Sequence, residues 1–174
     1  MVSAIRVLVQ HGRCLTENSN AARMLNRQGY GTRMDDDRIQ LSPLEAAYLA
    51  QRGRSSLLDG RGKKLEYSRL LRSRRDWLHY VVFRALRDAG HRVKTGLKFG
   101  AEFRVYERGK HGHSRWIVYP VRERETLTWH DFAAKNRVAH SVNKRLLIAV
   151  VDHEDGVSFW EVSWIREGRE HNNL

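Results

Sequence analysis

The run RLLIAVVD, residues 145–152, is the strongest constraint this chain places on its own fold. From Leu146 to Val151 it is apolar without interruption, and four of those six positions are β-branched valine or isoleucine or small alanine between them. A strand with one solvated face alternates apolar and polar side chains, whereas an unbroken apolar strand is buried on both faces. Such a strand needs neighbours on both sides and a layer above and below it. That requirement points to an α/β arrangement with a central sheet.

The surroundings of the run fit that architecture. TLTWHDFAAKNRVAHSVNK reads as a helix before it, with Thr128 as N-cap and Asp131 in the first turn, where a carboxylate suits the helix dipole. DHEDG makes a turn after it, and VSFWEVSWI a final strand. Upstream, RVKTG, EFRVY and SRWIVYPV read as three further strands. A long helical pattern from about Glu66 to Ala89 precedes these and stops at Gly90. In it Leu70, Leu71, Trp77, Leu78, Val81, Val82, Ala85 and Leu86 recur at helical spacing and are expected to face a core. The arginines between them, Arg69, Arg72, Arg74, Arg75, Arg84 and Arg87, are read first as a solvated face.

The amino-terminal part reads as a separate small lobe. VSAIRVLV is a strand, too short and too polar for a signal peptide. AARMLNRQGYG is a short helix ended by glycines, and RIQL another strand. SPLEAAYLAQRG is a helix with Ser42 as N-cap, Pro43 at the first helical position and Glu45 closing a capping box. RGRSSLLDGRGKK, rich in glycine and charge, is read as the linker. The expected organisation is therefore a mixed α/β lobe over residues 1–60 and a larger α/β lobe over 61–174.

Charge narrows the partners. Lysine and arginine number 32 against 20 aspartate and glutamate, a net +12 at neutral pH. Such an excess concentrates polyanions around the protein, so nucleic acid is the first partner to consider. No apolar run is long enough to span a membrane. The lone Cys14 excludes an internal disulfide framework or a multi-thiolate zinc site, and suits a reducing cytoplasm.

Motifs for several chemistries are missing: no phosphate-binding GxxxxGK[ST], no GxGxxG after a strand, no GxSxG and no HExxH. His111 and His113 offer two metal ligands without a nearby carboxylate or thiolate to complete a set. Glu102 stands nearly alone among the central strands, too few acids for a metal-dependent nuclease. A metal-free route remains. RNA can be cut by its own 2′-hydroxyl if a base removes the 2′ proton, an acid protonates the leaving 5′ oxygen and a cation stabilises the phosphorane. Histidine suits the acid and lysine or arginine the cation. A tyrosine, ordinarily titrating near pH 10, suits the base where positive charge is dense. Tyr106, His113 and Lys144 stand at a strand end, just before a strand and at a helix–strand junction. Composition alone does not select them from so many histidines and cations.

Three segments do. YSRLLRSRRDWLHYVVFRALRDAGHRVKTGLKFGAEFRVY, then HSRWIVY, then KNRVAHSVNKRLLIAVVD resemble, in order, the catalytic subunit of the tRNA-splicing endonuclease in its archaeal form. RIQLSPLEAAYLAQRG is similar to the amino-terminal lobe of that family. Ala101–Glu102 departs from it mildly, since aspartate is usual at the second position. The resemblance implies a catalytic lobe of the restriction-endonuclease-like α/β type. It also implies cleavage of precursor tRNA at bulge–helix–bulge exon–intron junctions, without metal or other cofactor, leaving a 2′,3′-cyclic phosphate and a 5′-hydroxyl.

Carried over position by position, the family base falls on Tyr106, the acid on His113 and the cation on Lys144. His111 is the rival acid; His113 is preferred because it directly precedes Ser114 and the next strand. The resemblance further implies that Arg137, about two helical turns before Lys144, clamps a flipped base by cation–π stacking, with Trp164 as its candidate partner. Arg108 and Lys110 are expected to contact phosphate. Asp152, Glu154 and Asp155 would form an acidic loop that docks on another subunit. One catalytic lobe cannot cut two junctions, so the chain is expected to work either as a homotetramer or as a heterotetramer with two silent subunits. The rival functions are a non-catalytic subunit of the same assembly, a metal-dependent DNA nuclease or resolvase, and a plain RNA-binding module.

Overall fold

A computed structural model of the chain describes residues 4–96, 100–109 and 112–164. Two compact units are present, residues 1–92 and 93–174.

The first unit opens with a hairpin. Strands β1 (Ile5–Gln10) and β2 (Arg13–Thr16) pair antiparallel with Gln10 opposite Arg13. The two-residue loop His11–Gly12 has φ of 49° and 75°, the doubly left-handed turn that matches strand twist. Histidine at the first loop position masks the turn in the sequence, where asparagine or aspartate would have announced it. Helix α1 (Asn20–Arg27) is capped by the Ser19 side chain. Strands β3 (Thr32–Arg33) and β4 (Ile39–Leu41) follow, and then helix α2 (Pro43–Gln51), where the expected Ser42–Glu45 capping box forms in full. The same Glu45 carboxylate accepts from the Gly31 amide at 2.9 Å, so one buried acid serves two chain segments. Cys14 is buried beside it, and burial, then the Glu45 charge, push its thiol up to about 11.

The segment read as a linker is structured instead. It holds β5 (Ser55–Leu58), which lies parallel to β1 with Ile5 opposite Ser55 and Val7 opposite Leu57, and β6 (Lys64–Leu65). Four residues between charged and glycine-rich flanks look like a loop in one dimension. Leu57 nevertheless supplies a fully enclosed core side chain. The six strands run in the order β3-β4-β2-β1-β5-β6. The long helix expected from residue 66 is also divided. A single 3₁₀ turn covers Tyr67–Leu70, and helix α3 (Arg74–Asp88) starts afresh with its own capping box, Ser73 to Asp76. An N-cap serine that bonds the amide three residues on ends whatever precedes it, which apolar spacing alone does not reveal. In α3, Leu78, Val81, Val82 and Leu86 are buried as expected, while Arg74 and Arg75 lie in solvent.

The second sheet comprises β7 (Arg92–Thr95), β8 (Phe103–Tyr106), β9 (Trp116–Arg122), β10 (Arg145–Val151) and β11 (Val157–Val162), in the spatial order β11-β10-β9-β8-β7. Gly96 closes the β7–β8 connection: an added Cβ would stand 2.8 Å from the Phe103 backbone, so only glycine fits. β9 and β10 are parallel, joined through helix α4 (Trp129–Ser141). β10 is central, between β9 and β11, and Leu146, Ala149 and Val151 have no exposed surface. This is the environment its unbroken apolar run demanded. One face of the sheet packs on α4, with Ile117, Leu146, Ala101 and Ala139 enclosed and Tyr119, Phe132, Val138, Ile148 and Val162 around them.

Candidate active site

The strand register brings three dispersed residues to one end of the second sheet. Val105, Trp116 and Arg145 lie opposite one another on β8, β9 and β10. β8 is antiparallel to β9, while β9 and β10 are parallel, so the end of β8 and the starts of the other two strands share one edge. Backbone bonds hold that edge: the Arg115 amide donates to the Val105 carbonyl at 2.9 Å, and the Arg145 amide to the Arg115 carbonyl at 3.0 Å. One position further on, Tyr106 follows Val105, Arg115 precedes Trp116 with Ser114 and His113 just before it, and Lys144 precedes Arg145.

Each is set by local chemistry. Tyr106 ends β8, half-buried. His113 is exposed and follows Gly112, whose φ of 115° turns the chain toward β9. Lys144 follows Asn143, which takes up φ of 54° after the last turn of α4, a left-handed stop that asparagine tolerates. The Lys144 amide then donates to the Ala139 carbonyl at 2.9 Å. Its ammonium turns back and donates to the Ser114 carbonyl at 3.0 Å, linking the start of β10 to the residue beside His113. Burial, and then the charge of Arg104, hold its pKa below the ordinary lysine value.

Arg104 is a member of this cluster that the sequence reading missed. It lies two residues before Tyr106 on β8 and hence on the same face, with its guanidinium carbon 5.9 Å from the Tyr106 ring centroid. Strand alternation was the available signal: any residue two positions from a strand-end candidate shares its side of the sheet.

The remaining candidates divide. Arg137 is exposed on α4. Trp164 is 47% exposed, and its ring lies 5.1 Å from that of His140, tilted by 47°. His140 is three residues beyond Arg137 and so adjacent to it on the helix surface. Arg108 is exposed in the turn after β8, whereas Lys110 and His111 lie outside the described residues. In the acidic loop, Asp152 shapes the turn by accepting from the Glu154 and Gly156 amides at 2.9 and 2.8 Å. Asp155 pairs with Arg122 at 3.2 Å, and the Glu154 side chain is 82% exposed. Among the described residues no group of three or more His, Cys, Asp or Glu is placed to hold a metal ion. No described helix is long and apolar enough to cross a membrane.

Residues 5–71 match the sequence model of the tRNA intron endonuclease N-terminal domain, and residues 77–159 that of the tRNA intron endonuclease catalytic C-terminal domain. A tRNA-splicing endonuclease of Thermococcus kodakarensis is 40% identical over 158 residues, covering 88% of this chain and 94% of its own. One from Methanothermobacter thermautotrophicus is 42% identical over 153 residues, 85% and 90% of the two chains. One from Nanoarchaeum equitans is 38% identical over 149 residues, 78% and 95%. The chain belongs to the tRNA intron endonuclease family. Within it, the catalytic-domain match takes in Tyr106, His113, Lys144 and Arg104 together. The N-terminal-domain match ends at residue 71, directly before the break that Ser73 introduces.

Proposed function

We propose that this chain is a catalytic subunit that cuts precursor tRNA at exon–intron junctions presented as bulge–helix–bulge RNA. The observation that supports this reading is the common edge of β8, β9 and β10, which Tyr106, the segment from His113 to Arg115, and Lys144 flank on hydrogen-bonded neighbours. The Tyr106 phenolate takes the proton of the 2′-hydroxyl, and the 2′ oxygen attacks phosphorus. The bond from phosphorus to the 5′ oxygen breaks, and the His113 imidazolium protonates that oxygen as it leaves. A 2′,3′-cyclic phosphate and a 5′-hydroxyl result, with no water consumed and no metal in the step. Lys144 faces the extra negative charge of the phosphorane. Its partial burial supports that role, because an ammonium with fewer waters around it acts more strongly on a developing oxyanion.

The two junctions of an intron require two such sites, so the working particle holds at least two copies, as a homotetramer or with two silent subunits. Glu154 is the member of the acidic loop left outward to dock on a neighbour, since Asp152 is engaged within the loop and Asp155 with Arg122 at the end of β9. Arg137 and Trp164 contact the bulge, with Arg108 and Lys110 on flanking phosphates. A cytoplasmic location accords with the lone, buried Cys14.

Incubating purified protein with a bulge–helix–bulge RNA in excess chelator, followed by end-group analysis, tests the chemistry. Cyclic phosphate and 5′-hydroxyl ends are expected. A 5′-phosphate, or dependence on added metal, would overturn the mechanism. The His113→Ala variant should cut at least 100-fold more slowly, at the low end of general-acid effects, while His111→Ala keeps its rate. The reverse pattern would move the acid to His111.

A further inference from the structure

We propose that Arg104 is a second cationic contact to the scissile phosphate, standing beside Lys144 and behind Tyr106 at the same edge of the sheet. The inference rests on the nuclease reading for the identity of the phosphate. Its grounds are geometric. Arg104 is paired across the sheet with Ile117, and Ile117 with Leu146, so it lies on the face that α4 covers. It shares that face with Tyr106 through the two-residue strand period.

What surrounds its guanidinium is unusual. The Nε atom is buried and bonded to nothing. No carboxylate among the described residues pairs with it, in contrast to Arg52–Asp88, Arg115–Glu107 and Arg122–Asp155. Its ring neighbour is Tyr106, and Lys144, a like charge on which it acts, stands two residues before Leu146, the position in line with Arg104 across the sheet. A buried donor without an acceptor, set against a second cation, is costly for the folded chain. An anion between the two removes both costs at once. A phosphate offers several acceptor oxygens, and a guanidinium fork suits two of them while an ammonium takes a third. Arg104 would thereby orient the phosphorus for attack and share the charge that forms on it.

Two measurements test this. The first is single-turnover cleavage of the bulge–helix–bulge RNA by Arg104→Met, which keeps the stem, and Arg104→Lys, which keeps a charge. Thermal midpoints are read alongside, together with binding of a 2′-deoxy RNA that cannot be cut. Arg104→Met is expected to lose about 100-fold in rate, the scale of one lost transition-state donor. Arg104→Lys should recover much of that loss at an equal midpoint. A packing role alone would favour the methionine. Full cleavage by Arg104→Met, or Arg104→Lys no faster than Arg104→Met, overturns the proposal.

The second measurement needs no cleavage: inorganic phosphate is titrated into wild type, Arg104→Met and the exposed-site control Arg61→Met. Weaker binding is expected in Arg104→Met alone, and equal binding in all three overturns the proposal. If wild type fails to cut RNA, alone and with silent subunits added, while the phosphate result holds, the nuclease reading falls and the anion-binding pair stands. If wild type cuts and both Arg104 results fail, only the present inference falls.

Discussion

Among the arginines that lie over tyrosine rings, Arg87 and Arg104 differ in what else holds them. In the first unit, Arg87 places its guanidinium 3.7 Å from the Tyr30 ring, and Tyr30 is 4% exposed. Arg54 reaches the same ring at 5.7 Å and hydrogen-bonds Gln28, while Arg87 donates to the His91 carbonyl. Every contact there closes on protein. In the second unit, Arg104 faces Tyr106 at 5.9 Å with a buried nitrogen unbonded and a lysine for a neighbour. The same pair of side-chain types is finished in one place and unfinished in the other. A basic chain can thus spend arginines on its own architecture, and the useful question about each is whether its donors are already engaged.

This contrast predicts that truncation at the unfinished end costs rate, and truncation at the finished end costs stability. The largest effect is expected at Lys144. Lys144→Ala should slow single-turnover cleavage by about 10²–10³-fold, the loss typical of a removed transition-state donor. Binding of an uncleavable RNA should remain near wild type, since the other cations persist. A variant that cuts normally, or that fails because it no longer binds, would break the distinction between the two regions.

Next in size is Arg87. Arg87→Ala removes a close cation–π contact and hydrogen bonds to the His91 and Gln28 carbonyls, together worth about 1–2 kcal/mol. Urea unfolding should show that loss, while the cleavage rate of the folded protein stays unchanged. A slowed rate with unaltered stability would mean that this arginine, too, reaches substrate.

How much of this was legible in the sequence depends on the kind of signal involved. The Ser42–Glu45 capping box, the α4 cap at Thr128 and the central place of β10 were read correctly, because each is written in adjacent residues. The hairpin at His11–Gly12 was not, because histidine hides the turn, and neither was the strand at Ser55–Leu58, whose partner β1 lies far back along the chain. The break before α3 was missed because the apolar spacing continues through it, while Ser73 bonds to Asp76 and starts a new helix. For the site, family resemblance supplied Tyr106, His113 and Lys144, and the register then brought them to one edge. Arg104 escaped because one more arginine among so many basic residues carries no mark until its neighbours are known. His140 beside Trp164 escaped for the same reason.

The smallest effect sharpens the contrast within the second sheet itself. Opposite the α4 face, Glu161 pairs with Arg145 and accepts from the Trp116 indole, and it lies 4.0 Å from Arg115. Burial alone would raise its carboxyl, but the bonds from Trp116 and Arg145 prevail and hold it below the ordinary value of 4.5. A carboxyl lowered on folding stabilises the protein above its unfolded pKa, and that contribution is lost as pH falls through the folded one. Glu161→Gln should therefore cost about 0.5–1 kcal/mol at neutral pH, the range of a partly exposed pair. The difference from wild type should vanish on acidification below the carboxylate range. Cleavage by Glu161→Gln should match wild type at neutral pH, because this acid neutralises the face that carries no candidate chemistry. A pH-independent loss of stability would show that Glu161 acts by packing. A loss of rate would show that the two faces of the sheet are coupled, and the division between engaged and open cations would then have to be redrawn.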